Sequence, residues 1–180
     1  MSVVILGLFS NSIQGIEGGI LLSLAHGLVS PALFICVGGI IYDRTGTRII
    51  KYIKGLATYM PIFTILFFIF TLCNTGIPLS LNFLGEQLSL IGIWKINPII
   101  SVLGATGIVL SACYSIFLYN RISYGVYSPN LNSVSLFDIS RREFIILISL
   151  LIPTILLGIF PNILLDCIHL SLTTILYNIN

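Results

Sequence analysis

From position 18 to position 42 the chain carries no Asp, Glu, Lys or Arg, and one histidine, His26. Written as a helix at about 1.5 Å per residue, that run is longer than the ~30 Å hydrocarbon core of a bilayer. A helix of that length on a soluble protein would need a polar face toward water, and this one has none. Composition extends the argument to the whole chain. Of 180 residues 57% are hydrophobic and 8% charged, and the mean hydropathy is +1.09. A soluble domain carries about a quarter charged residues. The expectation is an all-α polytopic membrane protein. The net charge of +2 is small and scattered, which argues against a nucleic-acid partner. Cys36, Cys73, Cys113 and Cys167 lie in or beside apolar runs without CxxC spacing, so they read as small buried hydrophobes and not as disulfides or metal ligands. No pattern of a removable signal precedes the first full span. Heavy use of Ile and sparing use of Ala hint at an AT-rich, organellar genome.

The chain divides accordingly. Positions 1–12 form a partial transmembrane helix and a turn, and 17–42 a full span. A long apolar region follows at 58–96, with its sequence interrupted near 74–81. Further spans are expected at 98–122 and 141–167, separated by an exposed loop rich in Ser, Asn and Pro at 123–140, with a tail at 168–180. The 58–96 region is too long for one regular crossing, and Asn74, Gly76 and Pro78 interrupt it. It is either a hairpin of two short spans or one crossing built from two half-helices. Charge chooses between them. With one crossing, Arg44, Arg48, Lys51, Lys54, Arg121, Arg141 and Arg142 share a side and Lys95 stands opposite; with two, the same residues split five against three. The positive-inside rule favours the single, broken crossing. Backbone broken at membrane depth is tolerated where it is buried in protein or lines a hydrated cavity, and transporters place such breaks on ion pathways.

Glu86 is the one formal charge between positions 59 and 94. A carboxylate in the hydrocarbon costs several kcal/mol, so Glu86 is expected to face the protein interior, either as one member of a proton relay or as a permanently protonated hydrogen-bond donor. His26 falls nine residues into its span, roughly 14 Å deep, where an imidazole can pass a proton through either nitrogen or simply bond a neighbouring carbonyl. Glu17 fits a first-turn helix acid, Asp166 and His169 fit interfacial residues, and Asp138 and Glu143 fit loop and helix-start charges. Gly15 and Gly19 form a small-xxx-small pair that allows close helix approach. Tyr114 and Ser115 either line a hydrated path or pack between helices. No phosphate loop, nucleophile elbow or zinc spacing appears, and Cys and His are too few at ligand spacing for haem or an iron–sulfur cluster.

The strings Gly15-Ile16-Glu17-Gly18, Ala25-His26-Gly27-Leu28-Val29-Ser30, Leu33-Phe34, Tyr42-Asp43-Arg44, Gly85-Glu86, Tyr114-Ser115 and Tyr119-Asn120-Arg121 occur in the order and spacing of a known family. Over essentially its whole length the chain resembles the chain-4 family of antiporter-like membrane subunits of respiratory complex I. The resemblance implies the C-terminal part of a 14-helix fold with one discontinuous transmembrane helix, broken at 74–78. It implies proton-relay roles for Glu86 and His26, in a membrane arm coupled to NADH oxidation and ubiquinone reduction. NADH, FMN, the iron–sulfur clusters and ubiquinone are then expected in other subunits, with no cofactor or metal in this chain. The implied partners are the N-terminal part of a split subunit, neighbouring antiporter-like subunits and membrane lipids. The implied location is the mitochondrial inner membrane, or a bacterial plasma membrane. The competing readings are a subunit of a Na⁺/H⁺ antiporter complex and a structural membrane fragment without its own proton path. The chain departs from the family in two ways. It is far shorter, which suggests a split or partial subunit. The family's break reads Leu-Pro-Gly where this chain has Ile77-Pro78-Leu79, so the turn's backbone is expected to differ for want of a glycine.

Overall fold

The computed structural model describes residues 1–125 and 137–179, and side chains as far as 176. Positions 126–136 of the expected exposed loop lie outside the described residues. Every regular element among the described residues is helical. A short α1 (Ser2–Leu8) turns into α2 (Ile13–Phe34), which continues through a π-helical stretch (Ile35–Ile41) into α3 (Tyr42–Thr45). After a 3-10 turn (Ile50–Tyr52) come α4 (Leu56–Tyr59), α5 (Pro61–Asn74), α6 (Leu81–Trp94), α7 (Pro98–Ser123), α8 (Arg141–Ile159) and α9 (Asn162–Ile179). Among the described residues three helical stretches are long and apolar enough to cross a membrane: Ile13–Thr45, Pro98–Ser123 and Arg141–Ile159.

Local chemistry sets where these helices start and stop. Ser12 caps α2 by accepting from Gly15 N–H, and Asn97 caps α7 by accepting from Ile99 and Ile100 N–H, with Pro98 at the first helical position. At α8, Ser140 and Glu143 exchange side-chain and backbone bonds in a capping box. The span expected over 141–167 is in fact divided. Phe160 leaves the helix, Pro161 has no N–H with which to continue it, and α9 starts at Asn162. What the sequence suggested was a tail after 167 is therefore mostly helix.

The two half-helices α5 and α6 lie one after the other along α2. The first half of α2 packs on α6 through glycines: a side chain at Gly92 would collide with Gly15, one at Gly18 with the Ser89 backbone, and one at Gly85 with the Leu22 backbone. The second half of α2 meets α5 in a cluster built on Phe63, Phe67 and Phe70 with Val29, Ala32, Cys36 and Ile40, joined by Tyr119 of α7 and Leu147 and Leu151 of α8. The 58–96 region is thus a single interrupted crossing. The expected glycine pair behaves differently from its spacing: the Gly15 backbone lies against Gly92 of α6 while its side-chain direction points at Ser10 and Ser12, and Gly19 faces Val4 and Leu8 of α1. Gly18, adjacent in sequence, is the second contact to α6. In lipid such close packing replaces the hydrophobic effect as the force between helices.

One end of the bundle is closed by a polar clamp. Arg44 grips Glu143 with two bonds, 2.7 and 3.2 Å, and donates to the carbonyls of Phe137 and Asp138. Asp138 in turn accepts from the Ile62 and Phe63 N–H groups at the start of α5. Asp138 and Glu143, which fit plain loop and helix-start charges in the sequence, bind three elements together here.

Candidate functional site

The break satisfies its own backbone. Gly76 adopts φ 72°, and Ile77 N–H reaches Leu72 O at 3.2 Å while Gly76 N–H reaches Cys73 O at 3.3 Å, the paired bonds of a Schellman stop. Ile77 to Ser80 then form a turn closed by Ser80 N–H to Ile77 O at 3.1 Å, with Pro78 second and Leu79 third at φ 81°. That is the pattern of a type II turn, whose third position favours glycine. Here Leu79 takes the left-handed conformation itself, without a glycine, because the closing bond and the flanking helix ends over-determine it. Ser80 then caps α6 by accepting from Phe83 N–H.

Glycine at 76 has a second purpose. A Cβ there would run into the Glu86 carboxyl group, so the first half-helix ends against the acid carried by the second. Glu86 lies one helical turn beyond Asn82, and Asn82 Nδ2 donates to Cys73 O at 2.8 Å, tying the two half-helices directly. Gly85 lets this part of α6 lie on the Leu22 backbone, one turn before His26 on α2.

The result is a cavity of about 220 Å³ whose walls include Glu86, Asn82, Asn74, His26, Ser111 and Tyr114. A second cavity, about 300 Å³, runs from His26 and Asn74 past Ser30, Leu33 and Phe34 to Val37. His26 and Asn74 line both, so they stand where the two spaces meet. Val37 belongs to the π-helical stretch, a geometry that recurs at functional sites. Pro31, between them, has no N–H to return to the carbonyl of Gly27. The structure therefore brings Glu86, His26 and Asn74 together, with Gly76 against the acid and Pro78 in the turn. It divides the Tyr114–Ser115 pair: Tyr114 lines the cavity, whereas Ser115 is buried and bonds Ala112 O.

Sequence reasoning passed over Asn82 and Ser111, although each is a polar side chain in an apolar run, and Asn82 sits four residues before Glu86. It also separated Glu17 from His169, whose side chains meet at 2.6 Å between α2 and α9. Nothing in the spacing of residues 152 positions apart signals that contact.

An interrupted crossing packed along an intact one, with a carboxyl group beside the interruption, defines an antiporter-like membrane subunit. Residues 1–123 match the family model described as "NADH:quinone oxidoreductase/Mrp antiporter, TM". The chain belongs to that family. It is 57% identical over 178 residues to NADH-ubiquinone oxidoreductase chain 4 of Mycosarcoma maydis and 45% identical over 175 residues to that of Marchantia polymorpha. These alignments cover 99% and 97% of this chain but 36% and 35% of the relatives. The fold superposes on a chain of respiratory complex I from Thermus thermophilus with TM-score 0.89 and 27% identity, covering 97% of this chain and 36% of that one. The chain thus spans about a third of the length of the proteins it matches.

Proposed function

We propose that this chain moves protons as part of the membrane arm of respiratory complex I in the mitochondrial inner membrane. The observation that carries the reading is the cavity joining Glu86 to His26 and Asn74 beside the break. A carboxyl group and an imidazole can each hold and release a proton, and about 220 Å³ of partly polar space has room for several waters to bridge them. In this reading Glu86 takes up a proton from that water and His26 receives it. The second cavity then carries it along α2 toward the π-helical stretch. NADH oxidation and ubiquinone reduction, with FMN and the iron–sulfur clusters, would lie in other subunits and drive this chain at a distance. Its partners would be the remaining part of the subunit, neighbouring antiporter-like subunits and lipid.

The test is Glu86→Gln in the assembled complex. Protons moved per NADH oxidised should fall while the complex remains assembled on a native gel. Undiminished pumping would leave the chain a scaffold. Proton movement that requires Na⁺ would instead favour an antiporter complex.

A further inference from the structure

Asn82 is 5% exposed, and its two amide atoms have unequal fates. Nδ2 is committed to Cys73 O at 2.8 Å, whereas Oδ1 is buried with no partner among the described residues. The amide cannot be turned over to relieve this, because Oδ1 would then face the Cys73 carbonyl, acceptor against acceptor. An orphaned acceptor of this kind costs about 1–3 kcal/mol unless something donates to it. Asn82 forms part of the wall of the cavity that Glu86 lines, and the two sit at i and i+4 on one face of α6.

The chemistry of the two forms of Glu86 differs at this point. An ionised carboxylate only accepts, so it offers Oδ1 nothing. The protonated acid has one O–H to donate. We infer that Asn82 is a positioning residue for the proton-loaded state of Glu86, its Oδ1 accepting the O–H of the protonated carboxyl group. The inference rests on the proton-carrying reading of Glu86. The amide itself never carries the proton. It holds the loaded acid in one orientation, and when the proton passes on, Oδ1 loses its donor. Asn82 also bolts α6 to the end of α5, so the orientation of the acid and the geometry of the break are set by one side chain.

Infrared difference spectra of the whole membrane assembly containing this chain test the inference, taken between its oxidised and NADH-reduced states. The carboxylic C=O band of Glu86 is identified by its loss in Glu86→Gln. In Asn82→Leu that band should shift in position, because the O–H has lost its acceptor. A purely structural role for Asn82 would alter assembly or rate without moving it. If Asn82→Leu fails to assemble, the wild-type assembly labelled with ¹³C-asparagine supplies the reciprocal measurement. A side-chain amide band should then change between the two states and be silent in Glu86→Gln. A Glu86 band that is indifferent to Asn82→Leu, or an amide band that persists in Glu86→Gln, overturns this inference alone. No Glu86-dependent band at all overturns the proton-carrying reading and this inference with it.

Discussion

Leu79 shows how much a single residue can be made to bear. It holds φ 81° with a branched side chain, in a turn position where glycine would sit without strain. A non-glycine residue in the left-handed region costs roughly 1–2 kcal/mol, partly offset in any Leu79→Gly variant by the greater chain entropy of glycine, about 0.5–1 kcal/mol. Leu79→Gly should therefore raise the stability of the assembled subunit by about 1 kcal/mol or less, read as a small increase in melting temperature, with the turn unchanged. A drop in melting temperature would mean that the side chain of Leu79 is held by contacts that outweigh the strain. The sequence showed the missing glycine but not its consequence, because the bond that closes the turn, Ser80 N–H to Ile77 O, depends on where two helix ends are held.

Between elements, the decisive contact is backbone on backbone. Gly15, Gly18 and Leu22 of α2 meet Gly92, Ser89 and Gly85 of α6, and a side chain added at Gly18, Gly85 or Gly92 would strike the backbone of the facing helix. Gly85→Val should force α6 away from the Leu22 backbone, shift Glu86 relative to His26, and destabilise the pair by roughly 1–3 kcal/mol. The measurement is the yield of assembled complex on a native gel, which should fall for Gly85→Val and be spared for a substitution at Gly107, where a side chain would meet open space. The presence of a broken crossing was legible from Asn74, Gly76, Pro78 and the placement of eight basic residues. The choice of partner helix was not. Gly18 and Gly19 are adjacent in sequence and differ only in the direction they face, which depends on the rotation of α2 and not on its composition.

At the scale of the whole molecule, the described residues form a bundle fastened at one end by charge and through its middle by close packing. The Arg44–Glu143 pair has side-chain exposures of 13% and 27%, so it is part-buried. Glu143→Gln removes the charge that answers Arg44 and should lower stability by roughly 2 kcal/mol, seen as a lower melting temperature of the assembled complex. The same change would matter little if the clamp were a loose surface pair. The sequence announced the membrane and the lone acid because a charge-free run and an isolated carboxylate are local signals. The clamp, the Glu17–His169 contact and the bond from Asn82 to the Cys73 carbonyl arise from residues brought together across 99, 152 and 9 positions, where local signals stop. One further contact joins these scales. Gly158, near the end of α8, presses on the carbonyl of Leu79 and the backbone of Ser80 and Leu81, leaving no side chain between helix and turn. The joint beside the acid and the last long span thus behave as two parts machined without clearance. A sideways load on α8 cannot be absorbed by a yielding side chain and must arrive at the turn.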